Sequence, residues 1–160
     1  MNHLIEQTLI EQNPHWSGEH YNHALKRLHN SIILNDLSLN EIQIITGIRR
    51  SVKSTLMQTV INHLLDQGNI KNILYVNFDD PNSNEACNDP SCFYEILTAA
   101  EKLMLCRMDY LFLDEVQNVN AWEKYVKSVY DSKRFKKIFI SGSNAELLKS
   151  NYAKLLTEDI

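Results

Sequence analysis

From residue 42 onward, apolar residues follow two alternating patterns. Short runs rich in β-branched and aromatic residues alternate with longer stretches in which apolar residues recur every three or four positions. The first pattern predicts buried strands, and the second predicts helices that bury one face. The predicted strands lie at residues 42–45, 73–78, 110–113 and 138–140. Strands separated by helices indicate an α/β fold with a parallel sheet of about four strands and right-handed crossovers.

The two ends of the chain differ from this alternation. Residues 1–40 carry helical patterns: a short helix that Pro14 ends, and a second helix whose apolar stripe begins at Tyr21. We expect these residues to form an N-terminal helical appendage to a domain over residues 41–160. A closing helix is predicted to bury four leucines, Leu147, Leu148, Leu155 and Leu156.

Composition and charge exclude several classes of protein. The chain has 160 residues, of which 44% are hydrophobic and 22% charged, as expected for one globular domain. A net charge of −4 argues against a domain that coats nucleic acid or anionic membrane. Unbroken apolar runs do not exceed four residues, whereas a membrane helix needs about 20. Glu6 and Glu11, close to the N-terminus, also argue against a secretory signal.

The number and spacing of the cysteines indicate whether the chain resides in a reducing or an oxidising compartment. Cys87, Cys92 and Cys106 are odd in number and form no C-x-x-C pair. No histidine follows them at zinc-ligand spacing, so a zinc site is disfavoured. We therefore expect free thiols and a cytoplasmic location.

The segment after the first strand carries a phosphate-binding pattern. Gly47 to Thr55 reads G-I-R-R-S-V-K-S-T, which meets the pattern G-x-x-x-x-G-K-S/T at every position but one. In such a loop, backbone N–H groups and a helix N-terminus attract phosphate. Lys53 would reach the β and γ phosphates, and the Ser54 hydroxyl would ligate Mg²⁺. The alternative is an accidental match of Gly47, Lys53 and Ser54, but the strand before it and the helix after it favour the functional interpretation.

Val52 occupies the position of the second glycine of the pattern. That position needs a close backbone approach and freedom of φ, so we expect a β-branched residue there to be strained or to push its methyl groups toward the phosphates. Strain of about 1–3 kcal/mol would weaken phosphate binding roughly 5- to 150-fold.

Acidic and polar residues follow two later strands. Asp114 and Glu115 come directly after the apolar run 110–113; Asp114 would hold Mg²⁺ through its water shell and Glu115 would polarise the attacking water. The alternative is an exposed turn. Two adjacent acids also indicate a phosphate-loop fold in which a strand is inserted between the two strands that carry the motifs. After the fourth strand, Asn144, with Ser143 as its rival, could sense the γ phosphate or cap the next helix.

Four segments together carry a resemblance to a family. They are Ile45–Arg50, Tyr75–Pro81, Leu113–Gln117 and Ser141–Ala145. The chain resembles the prokaryotic AAA-type P-loop ATPases that join such a domain to a C-terminal domain of unknown function. The resemblance implies a three-layer P-loop NTPase core with Walker A and Walker B motifs, and Mg²⁺-dependent binding and hydrolysis of ATP.

The resemblance also assigns residues. It implies ATP binding by the loop, which includes Gly47, Arg49, Arg50, Ser51, Lys53, Ser54 and Thr55, Mg²⁺ at Ser54 and Asp114, and hydrolysis assisted by Glu115. Two departures are Val52 and the end of the chain, which reads L-L-T-E-D-I over residues 155–160. We therefore expect the family's fifth strand, lid and C-terminal domain to be absent and the core to be truncated.

Three functions remain open at this stage. The first is an ATPase domain whose activity Val52 weakens. The second is a catalytically inactive pseudo-ATPase, or a truncated gene product, that acts as a protein-interaction module or homo-oligomer. The third is contact with nucleic acid through the basic residues of the segment 124–137, although a solvated helix face explains that segment more simply.

Overall fold

The computed structural model describes residues 3–22, 42–46, 50–81, 91–142 and 157–159. Within these ranges the chain begins with helix α1 (His3–Gln12) and a 3-10 helix (Pro14–Ser17). The elements that follow are β1 (Ile42–Thr46), α2 (Arg50–Asp66), β2 (Ile73–Asn77), α3 (Ser91–Met104), β3 (Tyr110–Asp114), a 3-10 helix (Val116–Asn118), α4 (Trp122–Asp131), β4 (Lys137–Ser141) and β5 (Thr157–Asp159). The predicted α/β alternation is confirmed. The predicted closing helix and most of the predicted second helix lie outside the described residues.

The strands form one sheet in the order β2-β3-β4-β1-β5. Every neighbouring pair is parallel, so the carboxyl ends of all the strands lie at the same edge. Strand β4 lies between β1 and β3, which confirms the inserted strand predicted from the two adjacent acids. Ligands of such sheets bind outside the carboxyl ends of the strands.

Strand β5 corrects one expectation. The sequence was expected to provide no fifth strand, but residues 157–159 pair in parallel with the outer edge of β1 from Ile44 to Thr46. The segment T-E-D lacks the apolar run that predicts a strand. Its extended backbone instead follows from hydrogen bonding to the edge of β1, which a sequence pattern does not show.

The core has two parts, one on each face of the sheet. On one face, apolar residues of α1, α3 and α4 pack against alternate strand residues such as Leu111 and Ile140. On the other face, α2 packs against the intervening residues, which include Phe112 and Phe139 with their rings stacked 4.5 Å apart. Because successive strand residues point to opposite faces, both faces of β1, β2, β3 and β4 are buried. The layers are therefore helix, sheet and helix, and the predicted three-layer fold is confirmed.

The N-terminal segment closes the free edge of β2 with side chains. The Asn13 amide donates to the backbone oxygen of Tyr75 at 2.9 Å and accepts from its N–H at 2.8 Å. Gln12 accepts from the N–H of Asn77 at 3.0 Å, and the Trp16 indole donates to the oxygen of Ile73 at 2.8 Å. These groups replace a neighbouring strand, because an unpaired edge would leave buried backbone groups without partners. The domain boundary near residue 40 remains a prediction.

Two observations concern the cysteines and the membrane. Cys92 forms a disulfide, so the expectation of three free thiols is wrong, whereas Cys106 is a free, partly exposed thiol. Within the described ranges, no helix is long and apolar enough to cross a bilayer.

Candidate functional site

The candidate site lies where α2 begins and where β3 and β4 end. Lys53 and Ser54 belong to the first turns of α2, and Asp114 is the last residue of β3. Arg50 and Ser51 open the same helix, and Thr55 follows on it, half-buried. Gly47, Arg49 and Asn144 lie outside the described residues.

Lys53 is almost completely buried at this edge, with 5% of its surface exposed. Its Nζ donates a hydrogen bond of 2.8 Å to the backbone oxygen of Gly142, directly after β4. The same Nζ lies 3.5 Å from Oε1 of Glu115, whose side chain is also buried. A buried ammonium is tolerated only with partners of this kind. The lysine of the predicted phosphate loop and the predicted catalytic carboxylate therefore face each other.

Asp114 is fully buried and accepts hydrogen bonds from three hydroxyl groups. Ser54 Oγ donates to Oδ2 at 2.6 Å and Tyr75 donates to the same oxygen at 2.5 Å. Ser141 Oγ donates to Oδ1. The prediction that Lys53, Ser54, Asp114 and Glu115 converge at one edge of the sheet therefore agrees with the geometry.

The Ser54 and Asp114 pair suits Mg²⁺. A hard cation prefers oxygen ligands, and Mg²⁺ commonly takes one or two protein oxygens and completes its shell with water and substrate phosphates. Because the Ser54 hydroxyl donates its hydrogen bond to Asp114, the lone pairs of its oxygen remain available to a metal ion. Among the described residues, no cluster of three or more His, Cys, Asp and Glu forms an all-protein metal cage. This donor set fits a metal ion that arrives with a nucleotide.

Glu115 has an unusual backbone conformation. Its φ of 56° and ψ of 49° place it in the left-handed region, which costs a non-glycine residue about 1–2 kcal/mol. Its N–H donates to Ser141 Oγ at 3.0 Å, and Gln117 donates to its Oε2 at 2.6 Å. Such outliers cluster at functional sites, although three residues elsewhere, Leu105, Ala121 and Lys133, share a positive φ.

Val52 lies within the first turn of α2. In an α-helix φ is close to −63°, which a β-branched residue adopts readily. The left-handed strain considered for this position therefore does not arise in this conformation. The effect of the methyl groups on a phosphate remains a prediction.

Sequence reasoning missed three residues of the site. The sequence pattern places Tyr75 only within an apolar strand, favours Asn144 over Ser141 and assigns no role to Gln117. Burial raises the pKa of the Tyr75 hydroxyl, and the negative charge of Asp114 raises it further. The sequence did offer one indication for Tyr75: it is the one residue of the apolar run 73–76 whose side chain ends in a hydroxyl group.

A surface cavity of about 720 Å³ lies at the amino ends of β3 and β4. It is lined by Glu101, Cys106, Arg107, Ser132 and Arg134. Glu101 and Arg134 pair with each other, and Arg107 donates to the backbone oxygen of Arg134. The charged side chains that line the cavity therefore largely bind one another. The cavity is separate from the candidate site, which lies at the opposite ends of these strands.

Comparisons with known proteins identify the family of the region that carries this site. The family model for the AAA domain matches residues 39–160. An uncharacterized protein of Haemophilus influenzae is 34% identical over 122 residues, which cover 72% of this chain and 28% of that protein. The uncharacterized protein MJ1544 of Methanocaldococcus jannaschii is 34% identical over 118 residues, which cover 73% of this chain and 24% of that protein. The chain thus spans about a quarter of the length of these relatives.

The matched region contains the whole described sheet and all the residues of the candidate site. The parallel strand order and the three layers are those that a P-loop ATPase-like domain requires. The match therefore agrees with the resemblance on which the sequence prediction rested, and the chain belongs to the AAA domain family.

Proposed function

We propose that this chain is a Mg²⁺-dependent ATP-binding and ATP-hydrolysing domain. The observation that carries the proposal is the pair of contacts at the sheet edge: Ser54 Oγ lies 2.6 Å from Asp114, and Lys53 Nζ lies 3.5 Å from Glu115. Together they supply a cation for phosphate, two oxygens for a metal ion and a carboxylate for water. These are the parts that phosphoryl transfer to water needs.

Each residue has a distinct role in this proposal. Lys53 neutralises the β and γ phosphates, while Ser54 and Asp114 hold the metal ion, which offsets the charge that develops on the phosphate oxygens. Glu115 orients and polarises the attacking water. The remaining loop residues, Gly47, Arg49, Arg50, Ser51 and Thr55, bind the phosphates, and Asn144 contacts the γ phosphate. These last assignments rest on the sequence pattern.

Phosphate competes with Glu115 for Lys53. An ammonium group has three donors, and the oxygen of Gly142 occupies one of them. The two others can reach phosphate oxygens. Because the Glu115 carboxylate neutralises the same ammonium at 3.5 Å, it opposes the entry of another anion, and a metal ion held by Ser54 and Asp114 would offset that negative charge. We therefore expect ATP affinity to depend strongly on Mg²⁺.

One observation favours a second candidate, a catalytically inactive module that binds a protein partner or a second copy of the chain. Val52 stands where the pattern has glycine, and its methyl groups would occupy space close to the phosphates. In that case the buried Lys53 and Glu115 pair would serve the fold alone. Lys53→Ala would then lower the stability of the fold but leave partner binding by the folded protein unchanged.

ATP titrations separate these candidates. We compare the natural chain with Val52→Gly and Lys53→Ala, each with and without Mg²⁺, and use Lys102→Ala on the exposed side of α3 as the matched control. We expect Mg²⁺-dependent binding by the natural chain and tighter binding by Val52→Gly. Loss of a charged hydrogen-bond donor to phosphate should weaken binding by about 100-fold in Lys53→Ala. Absence of binding by both the natural chain and Val52→Gly would contradict the proposal.

The proposed location of the chain in the cell is based on the proposed substrate, ATP. ATP is most abundant in the cytoplasm, and we propose that location, although the disulfide at Cys92 is more typical of an oxidising compartment. Fractionation of cells that express the chain tests it. The activity and partners of the longer relatives are a separate question, because this chain covers only 28% and 24% of them.

A further inference from the structure

Tyr75 lies beside the proposed metal site but has no part in the proposed chemistry. It belongs to β2, two residues before Asn77, which pairs with Asp114 of β3. Its side chain is buried on the face that α2 covers, and its hydroxyl donates to Asp114 Oδ2 at 2.5 Å. The contact therefore crosses from an outer strand to the proposed Mg²⁺-binding carboxylate.

The hydrogen bonds of Asp114 restrict how its carboxylate can turn. A carboxylate has about four lone-pair positions. Tyr75 and Ser54 occupy both positions of Oδ2, and Ser141 occupies one position of Oδ1. One position on Oδ1 is left for a metal-bound water. If a donor to Oδ2 were lost, the carboxylate could rotate, and this position would no longer be fixed in space.

Tyr75 is itself held firmly. The Asn13 amide binds both its N–H and its backbone oxygen, and the ring of Tyr21 packs edge-on against its ring with centroids 6.3 Å apart. The donor is thus fixed in position.

We propose that Tyr75 is a positioning residue for Mg²⁺: its hydroxyl fixes the plane of the Asp114 carboxylate and so keeps one lone pair of Oδ1 in a constant position, where it would be available to a metal-bound water. This inference rests on the proposed ATP-binding function. Under this inference, a residue of the outer strand β2 raises the affinity for Mg²⁺ without binding the nucleotide. The role is exerted through Asp114 and involves no contact with ATP.

Tyr75→Phe tests the proposal because it removes only the hydroxyl. Tyr110→Phe is the matched control: Tyr110 opens β3 and lies on the same face of the sheet, at the opposite end of the strand from Asp114. We measure the Mg²⁺ concentration that gives half-maximal ATP binding and, separately, ATP affinity in EDTA. In Tyr75→Phe we expect the Mg²⁺ midpoint to rise about tenfold, as for loss of one charged hydrogen bond. ATP affinity in EDTA should stay within twofold, and Tyr110→Phe should match the natural chain in both measurements.

A purely structural role predicts a different result. It would lower the stability of Tyr75→Phe and leave the Mg²⁺ midpoint of the folded protein within twofold of the natural value, which would overturn the inference. If the variant is partly unfolded, the midpoint is measured in trimethylamine N-oxide, which favours the folded state. If the natural chain fails to bind ATP at any Mg²⁺ concentration, the proposed function fails together with this inference. Mg²⁺-dependent binding by the natural chain with an unchanged Tyr75→Phe midpoint removes this inference alone.

Discussion

Asn13 and Asp114 are both buried polar residues in contact with Tyr75, yet their partners differ in kind. Asn13 is 1% exposed and bonds the backbone of Tyr75 on its outer side. Asp114 is fully buried and accepts the Tyr75 hydroxyl and two serine hydroxyls. Asn13 binds the backbone at a sheet edge, whereas Asp114 accepts hydrogen bonds from side chains of three elements, α2, β2 and β4.

The difference helps to separate structural from functional buried polar groups. The neutral Asn13 amide pairs only with backbone groups, namely the N–H and oxygen of Tyr75 and the oxygen of Leu9, and so takes the place of a missing strand. A buried carboxylate is costly, and hydroxyl groups are partners that can also ligate a metal ion. Burial alone does not distinguish the two residues. The chemistry of their partners does, and it places Asn13 with the fold and Asp114 with the site.

The largest effect is expected at the carboxylate beside Asp114. Glu115→Gln keeps the size of the side chain and removes the charge that polarises water. Loss of a general base lowers turnover by about 10² to 10⁴-fold. Because the variant no longer neutralises Lys53, ATP affinity should be equal or higher. Phosphate release at saturating Mg²⁺ and ATP measures turnover, and a binding titration measures affinity.

Glu95→Gln, on the exposed side of α3, is the control for this prediction. It removes the same charge from an exposed residue outside the candidate site and should keep full turnover. Unchanged phosphate release by Glu115→Gln would mean that Glu115 has a structural role, as Asn13 does, and does not act on water.

At the sheet edge the expected effect is on stability. Asn13→Ala leaves the N–H and the oxygen of Tyr75 without their partners in a buried position. At about 1–3 kcal/mol for each unsatisfied group, we expect the free energy of unfolding to fall by about 3 kcal/mol. Chemical denaturation measures this change. The Mg²⁺ midpoint for ATP binding should move less than threefold, because the Tyr75 hydroxyl is retained.

Asn62 offers a matched control for Asn13. It binds the N–H and oxygen of Tyr21 with the same two-bond geometry, but in a partly exposed position. Water can replace its bonds, so Asn62→Ala should cost about 1 kcal/mol. An equal loss of stability in the two variants would show that burial of the Tyr75 backbone is not what makes Asn13 important.

The sequence predicted the site better than the edges of the sheet, for a physical reason. The four strands are runs of apolar residues, and their parallel order brings Lys53 and Asp114 to one edge whatever the details of packing. Tyr75 and Ser141 reach Asp114 only because of the register between neighbouring strands, which one strand's sequence does not encode. Strand β5 and the Asn13 bonds depend on backbone groups that have no sequence signal.

The smallest effect concerns His15, which lies beside Asn13 and whose imidazole contacts the oxygen of Ile73 at 2.9 Å. Burial lowers its pKa from 6.5 to about 4, and the Ile73 contact only partly opposes that shift. The unfolded chain therefore takes up a proton near pH 6.5 while the folded chain stays neutral. Stability should be unaffected by this group above pH 7 and fall by about 1.4 kcal/mol per pH unit from pH 6.5 toward pH 4.

Denaturation at pH 7 and pH 5 tests this prediction with two variants. The natural chain should lose about 2 kcal/mol at pH 5 through His15. His15→Gln, which can still donate to the Ile73 oxygen but does not titrate, should remove this loss. His63→Gln, on the half-buried side of α2, should keep it. If His15→Gln retained the full pH dependence, the proton would be taken up by another group, and the prediction for His15 would be wrong.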